Sequence, residues 1–143
     1  MQSTAEHAEI GGFRPLVVGN IVSLLCVGVL AIYLWSESAE GEKVLTLLLF
    51  GPLSTFHAIP LLLLLLRPGA TAVTACLVIS ALGSLLSVWF MPIAVLDWAM
   101  ANNPLASVLN LTYLCSQVWI LYQGIIWKKV ERGSHRHFEG RDR

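Results

Sequence analysis

The sequence predicts an all-α membrane protein with four transmembrane helices in an antiparallel bundle. Three observations carry this. Four long apolar runs contain no Asp, Glu, Lys or Arg. Only 13% of the 143 residues are charged, against about 25% in soluble domains, so a water-facing surface is under-supplied. Lys and Arg fall almost entirely on alternate connections, which is how membrane proteins encode their orientation.

A hydrocarbon core about 30 Å thick takes about 20 apolar residues of helix. The runs that qualify lie at about 15–35, 44–66, 72–96 and 105–127. The chain therefore divides into a cytoplasmic N-terminal segment (1–13), a transmembrane domain (14–127) and a basic cytoplasmic tail (128–143). Pro15 follows Arg14 and Pro104 follows Asn103. Each proline suits a first helical turn, where its missing N–H is no loss, and Asn103 suits the cap before it. The second span contains Pro52 and Pro60, which free the carbonyls of Leu48 and Phe56 within the helix. Ser54 and Thr55 lie close enough to serve freed backbone groups. "RPGAT", Arg67 to Thr71, is a tight connection to the third span. The first run is longer than the 7–15 residues, roughly, of a signal-peptide core, and "SESAE" after Trp35 is a poor cleavage site, so it reads as a retained helix.

Orientation follows from charge. Arg14, Arg67 and the six basic residues of the tail share one side of a four-span protein, eight in all, against Lys43 alone on the other. That bias places both termini in the cytoplasm. Trp35 and Trp98 then fall at the outer interface and Trp127 at the inner one. Without a targeting segment, the compact chain suits a bacterial cytoplasmic membrane.

Polar residues inside the spans are where function would reside. Matching depths along the four spans brings Ser23, His57, Ser80, Ser84 and Gln117 into one layer near the middle. A polar group in hydrocarbon needs a partner, so His57 should face the bundle, neutral, with Gln117 or a serine of the third span as partner. One reading makes His57 a proton relay or part of a permeation path; the other makes it hydrogen-bonded packing between helices. On the third span Ala72, Cys76, Ser80 and Ser84 recur every four residues, with Gly83 and Ser87 alongside. On the fourth, Ala106, Asn110, Tyr113, Gln117 and Gly124 share a face, which Ser116, Tyr122 and Gln123 broaden. Small residues let backbones approach, so Gly83 should pack near Asn110 and Gln117.

Other chemistry finds little support. Cys26, Cys76 and Cys115 lie in apolar runs with no paired spacing, as buried free thiols would. His135 and His137 are too few for a metal site. No phosphate loop, nucleophile elbow or paired carboxylate occurs, and connections of about eight residues leave no soluble catalytic domain. No cofactor, no catalysis and no nucleic-acid partner are expected. A proton-coupled cation exporter would need an intramembrane carboxylate, which no span has. Two function classes remain. One is a non-catalytic accessory or interaction subunit, acting in the lipid bilayer by helix packing with itself or a larger membrane protein. The other is a small homo-oligomeric transporter or channel using the layer around His57.

Overall fold

The computed structural model describes the backbone of residues 3–37, 39–101 and 104–139, and within these the side chains of 12–37, 39–44, 46–93, 95–96, 99 and 104–131. Four helices account for it: α1 (Ser3–Glu37), α2 (Glu40–Leu66), α3 (Ala70–Ala101) and α4 (Leu105–Glu139). Each contains a stretch long and apolar enough to cross a membrane: Gly12–Glu37, Glu40–Leu66, Ala70–Ile93 and Leu105–Glu131.

The helices outrun the apolar runs. Helix α1 begins well before Pro15, which sits in its interior and not, as its sequence context implied, in a first turn. The Ala- and Glu-rich stretch ahead of it favours helix, and the helix continues through the proline although one carbonyl there loses its N–H partner. Helix α3 likewise continues past Pro92, and α4 runs through the basic tail to Glu139. Pro104 precedes α4, with its carbonyl accepting the Val108 N–H at 2.9 Å; the Asn103 cap lies outside the described residues. Helix α2 is continuous through Pro52 and Pro60. The Thr55 hydroxyl donates to the Gly51 carbonyl at 3.0 Å, one turn back on its own helix, so it serves neither carbonyl freed by the prolines. The Arg67 N–H closes α2 on the Leu63 carbonyl at 2.9 Å, and the Gly69 carbonyl opens α3 by accepting from Val73 at 3.1 Å.

Every helix packs against its neighbours in sequence, and α1 packs against α4, closing a ring. Side-chain pairs show that neighbours run antiparallel. Positions 77, 83 and 87 of α3 meet 124, 117 and 110 of α4. Positions 12, 19 and 23 of α1 meet 127, 120 and 116. The ring is skewed: α1 touches α3 across the short diagonal, whereas the backbones of α2 and α4 do not meet. The α3–α4 interface is the most extensive and α2–α3 the thinnest of the ring.

Two apolar clusters fill the interior. One draws Phe13, Leu16, Leu64, Val73, Cys76 and Ile120 from all four helices. The other joins Cys26, Val27 and Tyr113, with Phe50 and Leu53 against them. At the first end Phe13 lies against Trp127, ring centroids 5.4 Å apart. At the opposite end Lys43 Nζ sits 5.9 Å above the Trp35 ring. The expected position of Trp98 falls outside the described side chains.

Candidate functional site

Between the two clusters lies a polar centre. Helix α2 turns Leu53, His57, Pro60 and Leu64 inward, steps of four and three that keep one face. His57 follows from this phase, since the same face carries the apolar residues that anchor α2. It is 1% exposed, and Ser23 and Gln117 are 0% exposed.

His57 Nε2 lies 2.6 Å from the Tyr113 hydroxyl, and the two rings meet edge to face with centroids 5.3 Å apart. This differs from the pairing with Gln117 or a third-span serine expected from depth alone. The reason is reach. Helices α2 and α4 face each other across the long diagonal, and the long, rigid tyrosine side chain crosses it. Among the hydrogen bonds of the described residues, this is the one that ties an α2 side chain to another helix.

Gln117, one turn further along α4, instead turns to α1. Its Nε2 donates to Ser23 Oγ at 2.7 Å. Ser23 Oγ lies 2.7 Å from Ser116 Oγ and 2.9 Å from the Gly19 carbonyl, while the Ser116 hydroxyl reaches the Tyr113 carbonyl at 2.7 Å. Gly83 of α3 closes the centre from the remaining side. A Cβ there would stand 2.5 Å from the Tyr113 hydroxyl and 3.1 Å from Gln117 Oε1. Only glycine permits that approach without displacing either group.

The α3 serines divide. Ser80 is buried, but Ser84 is half-buried and bonds to the Ser80 carbonyl of its own helix at 2.8 Å. Ser84 therefore does not join the centre. A step of four residues drifts about 40° from the helical period, so the inward line continues through Gly83 and Ser87 instead. Ser87 and Asn110 form a second α3–α4 link: the Ser87 hydroxyl donates to Asn110 Oδ1 at 2.8 Å, and Asn110 Nδ2 to the Ser87 carbonyl at 3.2 Å. Asn110 thus pairs with Ser87, one turn from Gly83.

Asn20 was not singled out by sequence. It is 1% exposed and donates to the Leu16 carbonyl at 2.8 Å, with Cys76 Sγ at 3.6 Å. Its signal was its place three residues before Ser23, on the same helical face. Cys26 and Cys76 are buried free thiols, whereas Cys115 is exposed. The inward positions of α4 are Tyr113, Ser116, Gln117, Ile120 and Gly124, and the helical period turns position 115 away from them.

Chemically, the centre is a set of hydrogen-bond donors and acceptors without a carboxylate, lysine or arginine among them. Among the described residues no three His, Cys, Asp or Glu side chains gather to hold a metal. Ser23 and Ser116 bond to carbonyls, to each other and to Gln117, and His57 is engaged with Tyr113; among the described residues no hydrogen bond joins a serine to His57 as a nucleophile pair would need. Among the described residues, two buried side-chain atoms have no hydrogen-bond partner within the protein, His57 Nδ1 and Gln117 Oε1. No protein-family model, no curated protein and no solved structure matches the chain.

Proposed function

We propose that this protein is a non-catalytic integral membrane subunit that acts by helix packing, with itself or with a larger membrane protein. In this reading the four helices cross a bacterial cytoplasmic membrane with both termini in the cytoplasm. The observation that carries it is the inward closure of the polar groups beneath an apolar exterior. His57, Tyr113, Gln117, Ser23 and Ser116 engage one another, while Leu65, Leu85 and Trp89 are 60–76% exposed. Lipid or a partner's helices suit such a surface, and water does not. The orientation is supported by Arg14, Arg67, Lys128 and Lys129, which the helix pairing brings to one end, with Glu37, Glu40 and Glu42 at the other.

The test is the mass and composition of the complex extracted from its native membrane in mild detergent. A stoichiometric assembly with a second membrane protein, or a defined homo-oligomer without flux, is expected. A monomer at every concentration would refute it.

A second reading, a small homo-oligomeric transporter or channel, is favoured by the two buried atoms without partners, His57 Nδ1 and Gln117 Oε1. Buried polar atoms call for a hydrogen-bond partner, and a permeating species would supply one. Reconstituted vesicles carrying a pH-sensitive dye separate the two readings. Proton flux that disappears in His57→Gln supports transport, and no flux at any pH removes it.

A further inference from the structure

Arg14, Arg67, Lys128 and Lys129 stand at one end of the bundle. Among the described residues no hydrogen bond or ion pair engages any of these four side chains. Glu131 is the one carboxylate of that end whose side chain is described, and it forms no ion pair with Lys128, three residues before it on the same helix. The opposite end differs. Lys43, the cation there, lies 5.9 Å from the centroid of the Trp35 ring and is flanked in sequence by Glu40 and Glu42.

The four cations mark the boundary of the apolar stretches. Arg14 is the third residue of Gly12–Glu37, Lys128 and Lys129 fall in the last turn of Leu105–Glu131, and Arg67 directly follows Glu40–Leu66. Trp127 packs on Phe13 at the same level, as aromatic side chains do where hydrocarbon gives way to headgroups. A Lys or Arg at that depth carries its charge to the surface on its own aliphatic stem, where anionic headgroups attract it.

The cations are spread around the rim. On α1, Gly12, Gly19 and Ser23 face α4, and Arg14 is turned about 200° from Gly12. On α4, Gln117 and Gly124 face α3. Lys128 follows them by eleven and four residues, close to whole turns, and so shares that side. Lys129 stands about 100° further round, and Arg67 belongs to the connection between α2 and α3. One small anion does not reach all four, whereas the headgroups of a leaflet do, one beside each cation. Exposed Leu65, Leu66, Ile125 and Ile126 adjoin the cations, so acyl chains find apolar surface where the headgroups are held. We propose that this end of the bundle selects anionic phospholipids, whose phosphate headgroups pair with Arg14, Arg67, Lys128 and Lys129 around the rim. The inference rests on the membrane-spanning reading above, and not on the choice between subunit and transporter.

The test places the full chain in phosphatidylcholine vesicles with a trace of spin-labelled phosphatidylglycerol or spin-labelled phosphatidylcholine. Electron paramagnetic resonance separates lipid held against the protein from free lipid. The unaltered chain is expected to hold the phosphatidylglycerol label several-fold more strongly. Each cation replaced by glutamine should lower that preference, by up to about fivefold, and Lys43→Gln should leave it unchanged. Equal retention of the two labels by the unaltered chain would overturn the proposal. So would a preference that survives replacement of all four cations. A preference abolished by inorganic phosphate, but not by chloride at the same ionic strength, would assign the cations to a soluble anion and overturn it too. If neither label is held, the chain is not in the bilayer and the membrane-spanning reading fails as well; if both are held equally, headgroup selection alone fails.

Discussion

Replacing Gly83 by alanine adds one methyl group to the most extensive interface of the bundle. That carbon would stand 2.5 Å from the Tyr113 hydroxyl, 3.1 Å from Gln117 Oε1 and 3.2 Å from Gln117 Cδ. Unstrained contacts between heavy atoms are about 3.5–4.0 Å for carbon pairs, so something must move. Tyr113 is a rigid ring whose hydroxyl is held 2.6 Å from His57. Either that bond breaks or α3 retreats from α4. Overpacking of this kind costs about 1–3 kcal/mol. Loss of a buried interhelical hydrogen bond in a membrane protein adds about 0.6 kcal/mol, and at most about 1.7. Alanine's better helix propensity offsets about 1 kcal/mol. The net expectation is a destabilisation of about 1–4 kcal/mol. Gly51→Ala on α2 is the control, because nothing lies within 4 Å of the added carbon. It should be neutral or up to about 1 kcal/mol more stable. Unfolding in mixed micelles, followed by circular dichroism, measures both. Equal stability of the two variants would refute the claim that Gly83 exists to admit Tyr113 and Gln117.

Other outcomes follow from the same geometry. Gly19→Leu should prevent folding, because even its Cβ would meet Ile120 Cγ1 at 2.6 Å, whereas the exposed Leu65→Ala should leave detergent stability nearly unchanged; the same unfolding assay compares them. Ser87→Ala should cost about 0.6–1.7 kcal/mol by removing its bond to Asn110, and Asn110→Ala in the same background should cost about 0.6 kcal/mol more, because Asn110 Nδ2 still donates to the Ser87 backbone carbonyl, as a double-mutant cycle would show. His57→Gln should retain the helical content and melting behaviour if the centre serves packing, and a collapse of the fold would mean that the ring itself is required. Single cysteines at Ser38 and Ser134, in a chain lacking Cys26, Cys76 and Cys115, should label with an impermeant maleimide on intact cells at Ser38 only; labelling at Ser134 alone would reverse the proposed orientation.

The helices themselves were legible in the sequence. Each comes from an apolar run of bilayer length, and the connection at Arg67–Gly69 from its proline and glycine. One cross-helix pairing was legible too, because a helix rises uniformly per residue: Ser23 and Gln117, matched by level, are in hydrogen-bond contact. Helix ends were less so. Pro15 and the tail as far as Glu139 lie inside helices that begin and end beyond the apolar runs, since hydropathy marks where a chain is greasy and not where its backbone stops hydrogen bonding. Partner choice was decided only by the tertiary structure. Depth alone makes Gln117 as good a partner for His57 as Tyr113. The skewed ring separates α2 from α4 and leaves a gap that a tyrosine crosses, while the shorter Gln117 turns to α1. The sequence by itself determines which residues share a helical face and a level, because both follow from local periodicity. Which faces meet, and across which diagonal, depends on how four helices pack at once, and that is set by where glycines such as Gly19 and Gly83 let the backbones close.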